Sequence, residues 1–246
     1  MTGYGQFCPV AKAMELLDER WTLLVVRELL AGSTHFNEIR RGNPRMSPAL
    51  LSKRLQTLER AGVVRREENG PRSCYRLTAS GQELRPVVEA LGAWGMRWVG
   101  ELGERDLDPH LLFWDMRRTV PVDRWPRGRT VLLFVLDGVR PATSRWWLVV
   151  SGDEVDVCDT DPGYEADATV RAGLRTLVAI WRGDLTWRHA LRTSSVTLDG
   201  PRDITARIPE WVGAMTLADV PRPGAPTQGR AAGPQWAHEP TPGGPD

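Results

Sequence analysis

Residues 47–60 place two kinds of side chain at helical spacing. Leu51, Leu55 and Leu58 recur at i, i+4 and i+7 and define an apolar stripe, while Ala49, Ser52, Lys53, Gln56 and Arg60 fall on the opposite face. Short polar and cationic groups on one face supply hydrogen-bond donors and positive charge, the chemistry that suits base edges and phosphates in a major groove. The surrounding stretch is basic. Arg40, Arg41, Arg45, Lys53, Arg54, Arg60, Arg65, Arg66, Arg72 and Arg76 stand against Glu59, Glu67 and Glu68. Ten cations less three anions leave +7 between Arg40 and Arg76, in a chain whose formal net charge is +1. A local basic cluster in a near-neutral protein is the electrostatic footprint of phosphate binding.

The elements that must hold this face can be read from caps and stops. Ser47 is placed to cap the helix and Pro48 suits its first position, having no amide to lose. Gly62 is a good stop, because glycine enters the left-handed region cheaply. Ahead of it, residues 9–17, 22–31 and 36–41 are predicted helices, and Gly42-Asn43-Pro44 breaks the third. Residues 63–77 alternate towards a hairpin with Asn69-Gly70-Pro71 as its turn, and its arms carry Arg65, Arg66, Arg72 and Arg76. Two helices, a sharp stop, a third helix and a basic hairpin make the ground plan of a winged helix-turn-helix.

Thr78 is placed to cap a further helix running to about residue 99. Leu84, Val88, Leu91, Gly95 and Trp98 alternate four and three apart, and Val87 and Trp94 widen that stripe. The winged part is too small to cover so long an apolar face, so a homodimer seam is expected here. Pro86 should bend the helix or delay its regular part.

Composition changes after Gly103. The expected organisation is a winged domain over 1–103, a linker over 104–110, a second domain over 111–217 and a disordered Pro/Gly-rich tail over 218–246. In the second domain residues 117–120, 130–136, 145–150, 154–158 and 196–198 read as strands, and 173–181, 187–191 and 201–211 as helices. The fold class expected is therefore a mainly α winged helix-turn-helix followed by a small α+β domain.

Other chemistries find little support. Cys8, Cys74 and Cys158 are odd in number and far apart, which argues against a disulfide framework and for a reducing compartment. The four histidines lack metal-ligand spacing, and no nucleophile-elbow, phosphate-loop or dinucleotide glycine pattern occurs. Asp153, Asp156, Asp159 and Asp161 cluster, but Pro162-Gly163 follows where a calcium loop needs a glutamate. No apolar run approaches a membrane span. The expectation is a cytoplasmic protein that is not an enzyme and needs no cofactor or metal.

The segment CPVAKAMELLDERWTLLVVRELLAGSTHFNEIRRGNPRMSPALLSKRLQTLERAGVVRRE, continued by YRLTASGQEL and EALGAWGMRW, closely resembles the HxlR-type winged helix-turn-helix regulators over residues 7–100. DTDPGYEADATVRAGLRTLVAIWRGDLTWRHAL and VTLDGPRDITARIPEWV resemble a sterol-carrier-protein-like domain. The first resemblance implies a dimeric, sequence-specific transcription regulator, expected to repress, on a palindromic operator in double-stranded DNA. Ser47, Ala49, Ser52, Lys53 and Gln56 would lie at the major groove, with Lys53 matched to guanine and Gln56 to adenine. Arg54 would meet a phosphate or pack its stem, and Arg65 and Arg72 of the wing would meet the adjacent backbone or minor groove. Cys8 has two readings, a small apolar residue or a sensor of oxidants and electrophiles. The second resemblance implies an apolar tunnel and a hydrophobic small-molecule effector. Two alternatives stand beside this: a thiol-based redox regulator working through Cys8, and a lipid carrier that uses the winged domain only to dimerise. The basic wing speaks against the carrier.

Overall fold

The structure, a computed structural model, describes residues 3–69, 72–99 and 102–223. Gly70 and Pro71 of the expected turn, and residues 224–246 of the expected tail, lie outside them. The first half holds α1 (Pro9–Leu17), α2 (Thr22–Leu30), α3 (Phe36–Arg41), α4 (Pro48–Arg60), a hairpin of β1 (Val64–Asn69) and β2 (Arg72–Leu77), then α5 (Ala79–Gln82) and α6 (Arg85–Trp98). Val25, Val26 and Leu29 of α2 meet Ile39 of α3 and Leu51, Leu55 and Leu58 of α4 in one buried cluster. This is a winged helix-turn-helix.

Its local rules are those expected. The Ser47 hydroxyl accepts from the Leu50 amide at 3.3 Å, Pro48 opens α4, and Gly62 follows the helix at φ +72°. Thr78 caps α5 through the Gly81 amide, but the single helix expected from there is two. The regular part restarts at Arg85 with Pro86 in its first turn, where a missing amide costs nothing.

The second half holds α7 (Pro109–Thr119), β3 (Thr130–Asp137), β4 (Arg145–Ser151), β5 (Glu154–Cys158), β6 (Ala168–Gly173), α8 (Leu174–Trp181), α9 (Trp187–Arg192), β7 (Val196–Asp199), α10 (Arg202–Thr205) and α11 (Ile208–Val212). The five strands lie in the order β5-β4-β3-β6-β7, with β3 and β6 parallel and the other pairs antiparallel. In register, Leu132 opposes Leu148 and Ala168, and Phe134 opposes Trp146 and Val170. These side chains share a face with Phe113 and Met116 of α7 and Leu177 and Trp181 of α8 in a second buried cluster. Phe113 stacks on Trp146 at 4.7 Å, and Trp125 on Trp211 at 5.0 Å, so aromatic rings occupy the layer between helices and sheet.

Three expectations are corrected here. Residues 117–120 are not a strand. Asp108 accepts from the amides of His110 and Leu111, Pro109 opens a helix, and Leu112, Phe113, Met116 and Val120 keep helical spacing to its end. Residues 109–110, assigned to the linker, are therefore the first turn of α7. The helix expected over 201–211 is two short ones. The strand β6, which sits between β3 and β7, was not foreseen.

The two halves meet at a buried carboxylate. Glu28 of α2 is fully buried and accepts from Arg27 Nη2 at 2.9 Å, Ser33 Oγ at 3.3 Å, Trp114 Nε1 at 3.2 Å, and Arg118 Nη1 and Nη2 at 3.0 and 3.2 Å. Arg41, Arg117 and Arg118 each place a guanidinium 5.2–5.5 Å from the Trp114 ring. A Cβ at residue 42 would sit 1.9 Å from the Glu28 carboxyl, so only glycine leaves room for this ion pair.

Candidate nucleic-acid interface

The leucine stripe of α4 is buried to within 1% exposure, which leaves the other side of the helix facing outward. Ser47, Ala49, Lys53 and Gln56 are exposed and Ser52 is half-buried. Lys53 has no ion-pair partner among the described residues. The Arg60 guanidinium is turned back along its own helix, with Nε donating to the Gln56 carbonyl at 3.3 Å and Nη2 to Thr57 Oγ1 at 3.4 Å. The structure thus gathers Ser47, Ala49, Ser52, Lys53 and Gln56 on one surface.

Arg54 does not join them. It is buried, donates through Nε to the Arg20 carbonyl at 3.1 Å, and forms an ion pair with Glu19. Its position, three residues after Leu51, puts it on the stripe, and burial leaves no room for a phosphate. Arg54 therefore ties α4 to the turn before α2.

On the wing, Arg65 opposes Arg76 and Glu67 opposes Cys74, so these four share a face. Glu67 pairs with Arg65 Nε at 2.8 Å and with Arg76 Nε at 3.0 Å, and accepts from Cys74 Sγ at 3.6 Å. Arg65 is still well exposed, and surface pairs of this kind hold their partners weakly. Arg66 is tied to Ser73 Oγ at 2.7 Å. Arg72 opens β2, and its side chain lies outside the described residues.

One support escaped the sequence reading. The Tyr75 amide donates to the Thr34 carbonyl at 2.7 Å, and His35 bridges to Cys74, so the approach to α3 forms a third short rung on the wing. Glu38 fixes the same corner, accepting from the amides of Thr34 and His35 at 2.8 and 3.0 Å. Burial opposes ionisation there, but the two amides prevail and hold this carboxyl below its ordinary value. A backbone carbonyl at position 34 gives no signal in sequence.

The cysteines differ in their surroundings. Cys8 is half-buried just before α1, and its carbonyl accepts from the Lys12 amide. Cys74 is buried against Glu67. Burial, then Asp156, pushes the Cys158 thiol up. No three His, Cys, Asp or Glu side chains among the described residues group as a metal site, and no described helix is long and apolar enough to cross a membrane.

The HxlR-like helix-turn-helix model matches residues 16–102. The uncharacterized HTH-type transcriptional regulator YvaP of Bacillus subtilis is 39% identical over 99 residues, which cover 39% of this chain and 92% of that protein. The chain belongs to the HxlR-like family. An uncharacterized HTH-type transcriptional regulator of Synechocystis is 37% identical over 98 residues, covering 39% of this chain and 73% of that one. Among solved structures, the reduced form of the transcriptional regulator YodB from B. subtilis is 31% identical over 39% of this chain and all of that one, with a TM-score of 0.35. The HxlR-like match ends at residue 102, so the α+β half stands outside it.

Proposed function

We propose that this HxlR-family DNA-binding regulator acts as a homodimeric repressor of a palindromic operator. The outward face of α4 carries the reading: Ala49, Lys53 and Gln56 are exposed and Ser52 half-buried beside them, while the leucines behind are locked in the core. In this reading α4 enters the major groove, with Lys53 on guanine and Gln56 on adenine, and Ser47 at the helix start near a phosphate. Arg65 and Arg72 bring the wing to the neighbouring backbone.

The dimer reading rests on α6. Its stripe divides in two: Leu84 and Val88 pack against the winged core, whereas Val87, Leu91, Trp94 and Trp98 are 48–60% exposed. Large apolar side chains left in water at helical spacing suit a second copy. Two such copies would present their α4 helices to half-sites about one helical turn apart. The domain boundaries that go with this reading are 1–103, 104–108 as linker, 109–217 and a tail beyond.

The α+β half, read as sterol-carrier-like, would take a hydrophobic effector. Its interior layer is filled by its own aromatic rings, so an effector must bind at a border. A second reading, a thiol switch at Cys8, is favoured by one contrast: Cys74 and Cys158 face carboxylates, and Cys8 has none beside it among the described contacts. Mobility shift with promoter DNA beside the protein's own gene, across a salt series, tests the main reading. A specific, salt-sensitive shift is expected. Its absence refutes the operator reading, and loss of the shift on oxidation that a Cys8→Ser variant resists assigns the signal to the thiol.

A further inference from the structure

The C-terminal end of α6 and one face of α8, from Arg175 to Ala179, line one groove of about 640 Å³, within the usual range of small-molecule sites. Met96, Trp98, Leu107 and Val178 build its apolar wall. The chain after α11 straps the two helices together. The Met215 amide donates to the Trp181 carbonyl at 2.9 Å, and the Pro221 carbonyl accepts from Arg97 Nε at 3.3 Å. Leu217 packs so closely on α6 that a Cβ at Gly92 would lie 2.8 Å from its Cδ1.

The far end of the groove is cationic. Asp184 accepts from Arg182 Nε and pairs with Arg222 Nη2, both at 2.8 Å, and Arg222 Nη2 also donates to the Arg182 carbonyl at 2.7 Å. One carboxylate thus holds two guanidinium groups, which leaves a positive charge over. Arg222 Nε is buried without a partner among the described residues. Buried donors are normally paired, and a guanidinium pairs best with a planar, two-oxygen anion. Arg97 adds a further cation on the same wall.

We propose that this groove binds a small molecule with an apolar body and one carboxylate, the carboxylate taken by Arg182 and Arg222 and the body laid along Trp98 and Val178. It deepens the effector reading above, on which only its consequence for DNA rests. An occupant would touch α6 from the side of the α+β half, at the end of the stripe assigned to the dimer.

Isothermal titration of the full chain with decanoate, in the absence of DNA, tests the site. One saturable site per chain is expected, with decanol weaker by about tenfold or more because it lacks the charge. The double variant R182Q/R222Q should lose decanoate to a similar degree, while R188Q, outside the groove, should not. Circular dichroism checks that the variants fold, and the decanoate–decanol contrast on the unsubstituted chain decides if they do not. No saturable binding, equal binding of acid and alcohol, or undiminished binding by a folded double variant overturns the proposal. Decanoate binding that leaves operator affinity unmoved refutes the effector role and upholds the site.

Discussion

Arg118 of α7 donates both terminal nitrogens to the Glu28 carboxylate of α2, at 3.0 and 3.2 Å, across 90 residues of sequence. Glu28 is fully buried and Arg118 is 13% exposed, so water screens this pair little. Removing Arg118 leaves the buried Glu28 carboxylate to Arg27 alone and strips two of its hydrogen bonds, which costs more than the pair itself contributes. Arg118→Ala should therefore lower stability by about 3–5 kcal/mol. Urea unfolding checks it, and a loss of under about 1 kcal/mol would mean that the pair behaves as a surface one.

Lys53 and Arg54 are neighbours with opposite fates, and alanine should separate them. Lys53→Ala is expected to weaken specific binding by about 1–3 kcal/mol and to leave the melting temperature unchanged. Arg54→Ala should cost about 1–3 kcal/mol of folding stability by orphaning the groups it satisfies, with operator affinity kept by the folded fraction. Paired melting and mobility-shift measurements read both. The reverse pattern would put the base-reading surface on the other side of α4.

Trp94 is 56% exposed on the α6 stripe, so a charge there should be tolerated by the monomer fold. Trp94→Glu is expected to turn a dimer into a monomer at micromolar concentration in sedimentation velocity, and to weaken operator binding with it. A dimer that survives the change would move the seam elsewhere.

Glu38 gives a pH prediction. Its carboxyl is held below the ordinary range by the Thr34 and His35 amides, so the folded state binds the proton less readily than the unfolded chain. The stabilisation is then present above the ordinary carboxylate pKa and lost as pH falls through the lower, folded value. Glu38→Gln should flatten the acid limb of the melting-temperature profile. A parallel profile displaced at every pH would show that packing, not charge, matters at this cap.

Much of the winged half was legible because its determinants are local. Ser47-Pro48, the leucines at four and three, Gly62 and Pro86 each act within a turn of themselves. What failed was either read on the wrong period or had its partner far away. The run from Pro109 to Val120 kept helical spacing, but its charged approach read as linker and its end as strand. β6 alternates Ala168, Val170 and Ala172 inward with Thr169 and Arg171 outward, yet alanines make a faint stripe, and its parallel partner β3 lies far back in the chain, with Leu132 opposite Ala168. Arg54 stood on the leucine stripe in plain view. Glu28 could be seen inside an apolar helix, but nothing near it named Trp114 or Arg118 as its partners.

The parallel pairing of β3 with β6 also sets an order of events during synthesis. The elements of the winged half are all made by residue 98, whereas β3 cannot complete its sheet until Ala168–Gly173 has left the ribosome. Until α7 docks, Glu28 has only Arg27 and Ser33 to meet, and its remaining hydrogen bonds must come from solvent. The nascent chain thus carries a wet notch in its first finished domain, which α7 later seals. Pulse-labelled hydrogen exchange during refolding should find the amides of α2 and α4 protected before those of β3 and β6, and simultaneous protection would exclude this sequence of steps.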